Sequence, residues 1–197
     1  MTKFKIILII ALLVTSVSCD VLKQATELTS FVKCKFRLHT IENLKLAGVN
    51  IQEKKSMSDL NFLDAAKLTA ALSSNKLPMS FVLNIQVQNP NQNQAAMNRL
   101  DWQLFIDDTE ITQGVLSQRL EIPANETGTL PLLLTFDLKE VFKKESGNSL
   151  LNLVFNLVGA GNEPSHISLK AKPTIMVGTR EIVYPGYITI NNEFNSY

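Results

Sequence analysis

Few side chains in this sequence could do covalent or metal chemistry: two cysteines (Cys19, Cys34), two histidines (His39, His166) and the adjacent acids Asp107 and Asp108. A thiolate with a distant histidine is formally a thiol-enzyme pair. Cys34, however, falls in phase with Val32, Phe36 and Leu38 on an apolar strand face, so the expectation is a buried, inert thiol. Neither histidine has a His, Cys or acidic partner at ligand spacing. There is no His-Glu-x-x-His helix, Cys-x-x-Cys pair, Gly-x-Ser-x-Gly elbow or glycine loop for phosphate. Two adjacent acids at a turn, with no further oxygen ligands spaced nearby, are turn chemistry rather than a calcium site. Trp102 could be a sugar-stacking platform, but it alternates with Leu100, Leu104 and Ile106 and belongs to the core face. The row Lys33, Lys35, Arg37 reads as a solvated strand face that discourages edge pairing, in preference to a phosphate or headgroup site. No catalytic residue, metal ligand or cofactor site is assigned.

The chemistry that does stand out is at the amino terminus. Met1-Thr-Lys-Phe-Lys5 is basic, Ile6 to Val14 is unbroken apolar sequence, and Thr15-Ser-Val-Ser18 supplies small residues before Cys19. The apolar run is too short for a stable membrane span, so residues 1–18 read as a signal peptide. A cysteine directly after small residues resembles a bacterial lipobox, in which Cys19 becomes the lipidated first residue, although Ser16 stands where Leu is usual. Residues 19–30 are then a lipidated start and tether. More than one acyl chain anchors stably, which makes the membrane a partner and places the protein in a bacterial envelope, with the outer membrane, periplasmic or surface side, as the preferred location. The alternative is an ordinary secretory signal and a Cys19–Cys34 disulfide in an unlipidated protein. Asn125-Glu-Thr127 matches the glycosylation sequon, which a bacterial lipoprotein does not use.

Charge narrows the partners further. The 19 Lys and Arg residues nearly balance 18 Asp and Glu, and loss of Lys3 and Lys5 with the leader leaves 17 against 18. Nothing here favours nucleic acid.

The elements follow from spacing. Phe81, Leu83, Ile85 and Val87 alternate with Ser80, Asn84, Gln86 and Gln88, which predicts a half-buried strand, and Asn89-Pro90-Asn91 ends it. Strands are also predicted over 31–41, 44–51, 100–107, 111–122, 130–136, 166–177 and 180–190, with a turn at Glu42-Asn43 and an edge position or bulge at Pro173. A helix over 58–74, capped by Ser58, carries the stripe Phe62, Leu63, Ala66, Ala70 and plugs one end or, less simply, lids an apolar cavity. Asp137 to Lys144 reads as a short capped helix, and the four-residue spacing of Asn148, Asn152 and Asn156 predicts another. The sum is a mainly β chain: one antiparallel β-sandwich over 31–190 with two or three short helical insertions, and a frayed tail over 191–197.

Several of these residues resemble a known family. Asn89-Pro90-Asn91 at a strand end, an aromatic (Trp102) in the next strand, Gly114, then Ile122-Pro123-Ala124-Asn125 and Leu130-Pro131-Leu132 resemble the late embryogenesis abundant group 2, or WHy (water stress and hypersensitive response), domain. The resemblance spans roughly residues 30 to 190. Trp102 stands where the family usually has Tyr, and Asp108 where it has Gly; Asp tolerates a left-handed turn. The resemblance implies a fibronectin type III-like or immunoglobulin-like sandwich, no catalytic residues, and a protective role under stress, with uptake of a hydrophobic ligand as a variant. The other readings are a scaffold subunit for an envelope protein complex and, last, an enzyme of unrecognised type. Replacing Cys19 with Ala is expected to move the protein out of the membrane fraction on cell fractionation; an unchanged membrane fraction removes the lipid anchor.

Overall fold

The computed structural model describes residues 22–157, 166–177 and 179–192. The expected signal peptide, Cys19 and residues 193–197 of the expected tail lie outside them. Two antiparallel sheets form a β-sandwich. One has the order β2-β1-β3-β8, from β1 (Lys35–Leu46), β2 (Val49–Asn50), β3 (Pro78–Gln88) and β8 (Thr127–Asp137). The other has the order β10-β9-β5-β6, from β5 (Arg99–Ile106), β6 (Thr109–Leu116), β9 (Ile167–Val177) and β10 (Arg180–Val183), and β11 (Ile188–Ile190) also pairs with β9. A small ladder joins β4 (Ala95–Met97) to β7 (Leu120–Ile122).

The alternation in sequence becomes the two faces of each sheet. In β3, Met79, Phe81, Leu83, Ile85 and Val87 are buried, and in β5 Leu100, Trp102, Leu104 and Ile106 are. The core closes between these rows, with Leu130, Leu132 and Leu134 of β8 and Leu169 and Ala171 of β9 beside them. Asp107 and Asp108 both take positive φ, 47° and 64°, as a tight hairpin between β5 and β6 requires.

Several boundaries differ from the sequence reading, each for a local reason. The stretch read as tether is a helix: α1 covers residues 22–32, and β1 starts only at Lys35. Its docked face is Glu27, Ser30 and Phe31, two of them polar, so no apolar stripe announces it. The expected turn at Glu42-Asn43 is instead a bulge within one continuous strand, with Asn43 at φ 56°. The chain reverses later, at Ala47-Gly48. The expected single strands over 111–122 and 180–190 are each broken in two, the second at Pro185-Gly186. Pro173 is neither at an edge nor at a bulge. It lies in central β9, at the gap between the segment paired with β11 and the segment paired with β10, where a missing N–H leaves the ladder intact.

The helix after β2 also shifts. A short 3-10 turn (Met57–Asp59) precedes α2 (Phe62–Ser73), whose cap is Asn61, not Ser58: the Asn61 side chain accepts from the Asp64 amide at 2.9 Å. The far end is held by the Lys139 ammonium, which donates to the carbonyls of Leu72 and Ser74. The docked face is Leu68 with Ala71 and Leu72, while Phe62 and Leu63 of the expected stripe are 86% and 70% exposed. α2 packs through this face against β2 and α4. α3 (Leu138–Val141) is capped by Asp137, and α4 (Gly147–Leu157) buries Leu150, Leu151, Val154 and Phe155. Among the described residues no helix is long and apolar enough to cross a membrane.

This assignment of faces is testable on α2. Leu68→Ala is expected to lower stability by about 2–5 kcal/mol, and Phe62→Ser to change it by less than about 0.5 kcal/mol. Urea unfolding of the two variants checks this, and equal losses reverse the assignment.

Candidate functional site

Five of the residues singled out in the sequence meet at one end of the sandwich. β3 ends on Asn89, which is buried with a polar side chain. Its amide Nδ2 donates toward the carbonyls of Asn93 (2.9 Å), Ile122 (3.0 Å) and Pro123 (2.9 Å). Its Oδ1 accepts from the backbone and side-chain amides of Asn91, at 3.0 and 2.7 Å. Pro90 sets the extended backbone between them. Asn91 in turn donates to the Ser30 carbonyl of α1 at 2.8 Å, and its own carbonyl accepts from Asn125 N–H at 3.2 Å. Asn125 sits at φ 59°, a left-handed position that Asn tolerates. The loops after β3 and β7 and the end of α1 are thus tied through two carboxamides. What this cluster does chemically is satisfy buried backbone; every donor and acceptor named is consumed within it.

Trp102 and Gly114 form a separate pair on neighbouring strands. They are opposite each other in register, and the indole lies over the glycine, where a Cβ would come within 2.4 Å of the ring. A second tie holds α1. Glu27, 3% exposed, receives the Arg119 guanidinium at 2.7 Å, and that bond raises the Arg119 pKa above its ordinary value. Neither Glu27 nor Arg119 carries a local sequence signal, since 92 residues separate them.

Cys34 is fully buried, its thiol directed at the Ser30 carbonyl at 3.4 Å. Burial pushes the thiol from 9.0 up to about 12, so it holds its proton at neutral pH and supplies no nucleophile. Any stability this burial adds is complete below pH 9 and falls as pH rises toward 12, where the unfolded chain alone is ionised. Cys19 lies outside the described residues. His39 and His166 stay apart, His166 near Asp107 with Nδ1 to Oδ1 at 3.7 Å. Asp107 Oδ1 accepts the His166 backbone N–H at 2.8 Å, which is turn and strand-start work. Among the described residues no group of three or more His, Cys, Asp or Glu could hold a metal.

One feature with room for a ligand was not legible in the sequence. β1 shifts register against β3 between Leu38 and Thr40, and beside this shift the outward Leu38 N–H donates to the Asn191 carbonyl at 2.7 Å. A cleft of about 590 Å³ lies there beside β1, within the size range of small-molecule sites. Leu38, Ile41, Leu83, Leu157 and Ile167 supply apolar walls, and Arg37, His39, Gln52 and Asn192 supply a polar rim. The rim is ordered by hydrogen bonds. Gln52 donates to the Ile41 carbonyl (2.8 Å) and accepts from Leu44 N–H (3.0 Å), and Arg37 Nε donates to Gln86 at 2.7 Å. None of the walls comes from α2.

A family model described as late embryogenesis abundant protein matches residues 84–184. No curated protein matches this chain. Among solved structures, a crystal structure of an Archaeoglobus fulgidus protein is 14% identical, with 80% of this chain and 98% of that one covered and a TM-score of 0.33. A solution structure of an Arabidopsis thaliana protein is 13% identical over 87% and 86% of the two chains, with a TM-score of 0.42.

Removing the central carboxamide tests the knot. Asn89→Ala leaves three carbonyls and the Asn91 amide short of a partner, and is expected to cost about 3 kcal/mol, against about 1 kcal/mol for Asn91→Ala. Denaturant unfolding of both variants checks the order.

Proposed function

This chain belongs to the late embryogenesis abundant protein family, and from that premise we propose that it is a lipid-anchored envelope protein whose cleft at the β1 bulge holds a hydrophobic ligand with a polar end. Membership makes it a stress-related protein of a family that is in general not enzymatic. The single observation that carries the ligand reading is the cleft itself: apolar walls from both sheets and α4, and a rim whose side chains are already held in place. An acyl chain or similar apolar body would fill the walls, while Gln52 and Arg37 meet its head. The basic leader, apolar run and small residues before Cys19 support the anchor. Anchored this way, the domain would protect by taking up hydrophobic molecules released at a dehydrating or damaged membrane. A scaffold role in an envelope assembly is the second reading, supported by the position of β8 as an outer strand among the described residues.

Native mass spectrometry of the full chain, extracted gently from cells, tests the ligand reading. The expected spectrum carries an added mass of fatty-acid or phospholipid size that organic extraction removes. Ile41→Trp, which fills the cleft, is expected to abolish it without lowering the melting temperature. A ligand-free wild-type chain that also takes up no fluorescent fatty acid rules the reading out.

A further inference from the structure

The free side of β8 has a sequence suited to one particular neighbour. β8 is the last strand of its sheet, and among the described residues no strand pairs with its other side. Which residues face outward follows from the bonds that bracket it. Asn89 N–H donates to the Glu126 carbonyl at 2.8 Å, and Leu138 N–H to the Leu77 carbonyl at 3.0 Å. Even-numbered positions therefore turn their backbone groups toward β3, and Thr127, Thr129, Pro131, Leu133 and Thr135 turn theirs to the open edge. Pro131 falls on the outward set, where its missing N–H costs the β3 ladder nothing.

Open edges normally carry charges, lysine above all, or proline to prevent pairing, and Pro131 is the one such device between Thr127 and Phe136. The ten residues from Thr127 to Phe136 carry no charge, and Leu133 is 72% exposed. The strand also reads nearly the same in both directions about Leu132: Pro131 and Leu133 flank it, then Leu130 and Leu134, then Thr129 and Thr135. An antiparallel pair of identical strands about a two-fold axis needs this symmetry. We infer that two copies of this chain pair through β8, antiparallel about a two-fold axis at Leu132, joining their four-stranded sheets into one of eight.

In that register Thr129 of each copy stands opposite Thr135 of the other and the pair exchanges two hydrogen bonds. Pro131 stands opposite Leu133, which donates the one bond available, and the two side chains cover each other on the outer face. No like charges meet. Moving the axis to Pro131 sets two prolines opposite one another with no bond between them, and moving it to Leu133 breaks the Thr129–Thr135 pairs and sets Pro131 opposite Thr135. The proposal is independent of the cleft and of any ligand.

The test is a charge exchange at exposed positions, with the mass of the full chain in mild detergent measured by sedimentation equilibrium at tens of micromolar. Wild type is expected at twice the chain mass. T129K/T135K sets Lys opposite Lys at both pairs and is expected at single-chain mass, with dissociation at least about tenfold easier. T129K/T135E sets Lys opposite Glu and is expected to restore the double mass. Thermal melts of all three show whether each is folded. T129C/T135C gives an independent readout. The two positions lie about 20 Å apart along one extended strand, so an oxidised product on a non-reducing gel must join two chains. A wild-type chain at single mass overturns the inference, as do equal masses for the two lysine variants, absence of the cross-linked dimer, or a different protein bound stoichiometrically to wild type.

Discussion

A buried carboxamide must find partners for its donors and its acceptor, and Asn89 finds them both close by, in Asn91 and Asn93, and far off in sequence, at the carbonyls of Ile122 and Pro123. That requirement fixes much of one end of the sandwich. The bonds to Ile122 and Pro123 hold the end of β7 against the end of β3, and the bonds to Asn91 place that residue where it reaches α1. The loops at this end have little apolar surface of their own to bury. They are specified by polar satisfaction, which is directional, where the interior is specified by packing, which is not. The two meet at Val87 and Asn89, consecutive inward-facing positions of β3 and its exit.

The two sides of the sandwich differ in how they end. On one side β1 shifts register against β3 at a bulge, bonds to the segment after β11, and borders a cleft between the sheets. On the other, β8 and β6 are the outer strands among the described residues, one without charge from Thr127 to Phe136 and nearly palindromic, the other carrying Glu110. Bulges are a usual means of re-aiming a strand, and an edge guarded by one proline and no charge is unusual enough to need a reason. The cleft and the free side of β8 thus lie on opposite flanks of one scaffold.

How much of this could be read beforehand depends on the range of the interaction that sets each feature. β3 and β5 were legible because a strand with one dry face writes its burial directly into alternate residues. α4 was legible from its asparagine spacing. α2 was placed, but turned the wrong way, because both of its faces are apolar: Phe62, Leu63, Ala66 and Ala70 make as good a stripe as Leu68, Ala71 and Leu72, and only the tertiary contact with the core chooses between them. α1 was missed because its contact face is built on Glu27 and Ser30, which look solvent-facing until Arg119 and Asn91 are brought to them. Asn89, Pro90 and Asn91 could be read as a strand stop, but their bonds to Ser30, Ile122 and Pro123 could not. The cleft lies beside a register shift in β1, and no single residue type announces it.

The rigid docking of α1 alters what an acyl group on Cys19 would do. A flexible leader of a dozen residues lets a globular body wander and tumble freely above a bilayer. Here the described helix is already clamped to the sandwich by Glu27–Arg119 and Asn91–Ser30, and it begins at residue 22. Only about 10 Å of extended backbone could separate the acylated residue from the first helical turn. The leash is short enough to act as a mount: the body would stand against the lipid surface in a restricted set of poses, its lateral diffusion that of its anchor and its reach into the surrounding space no longer than itself.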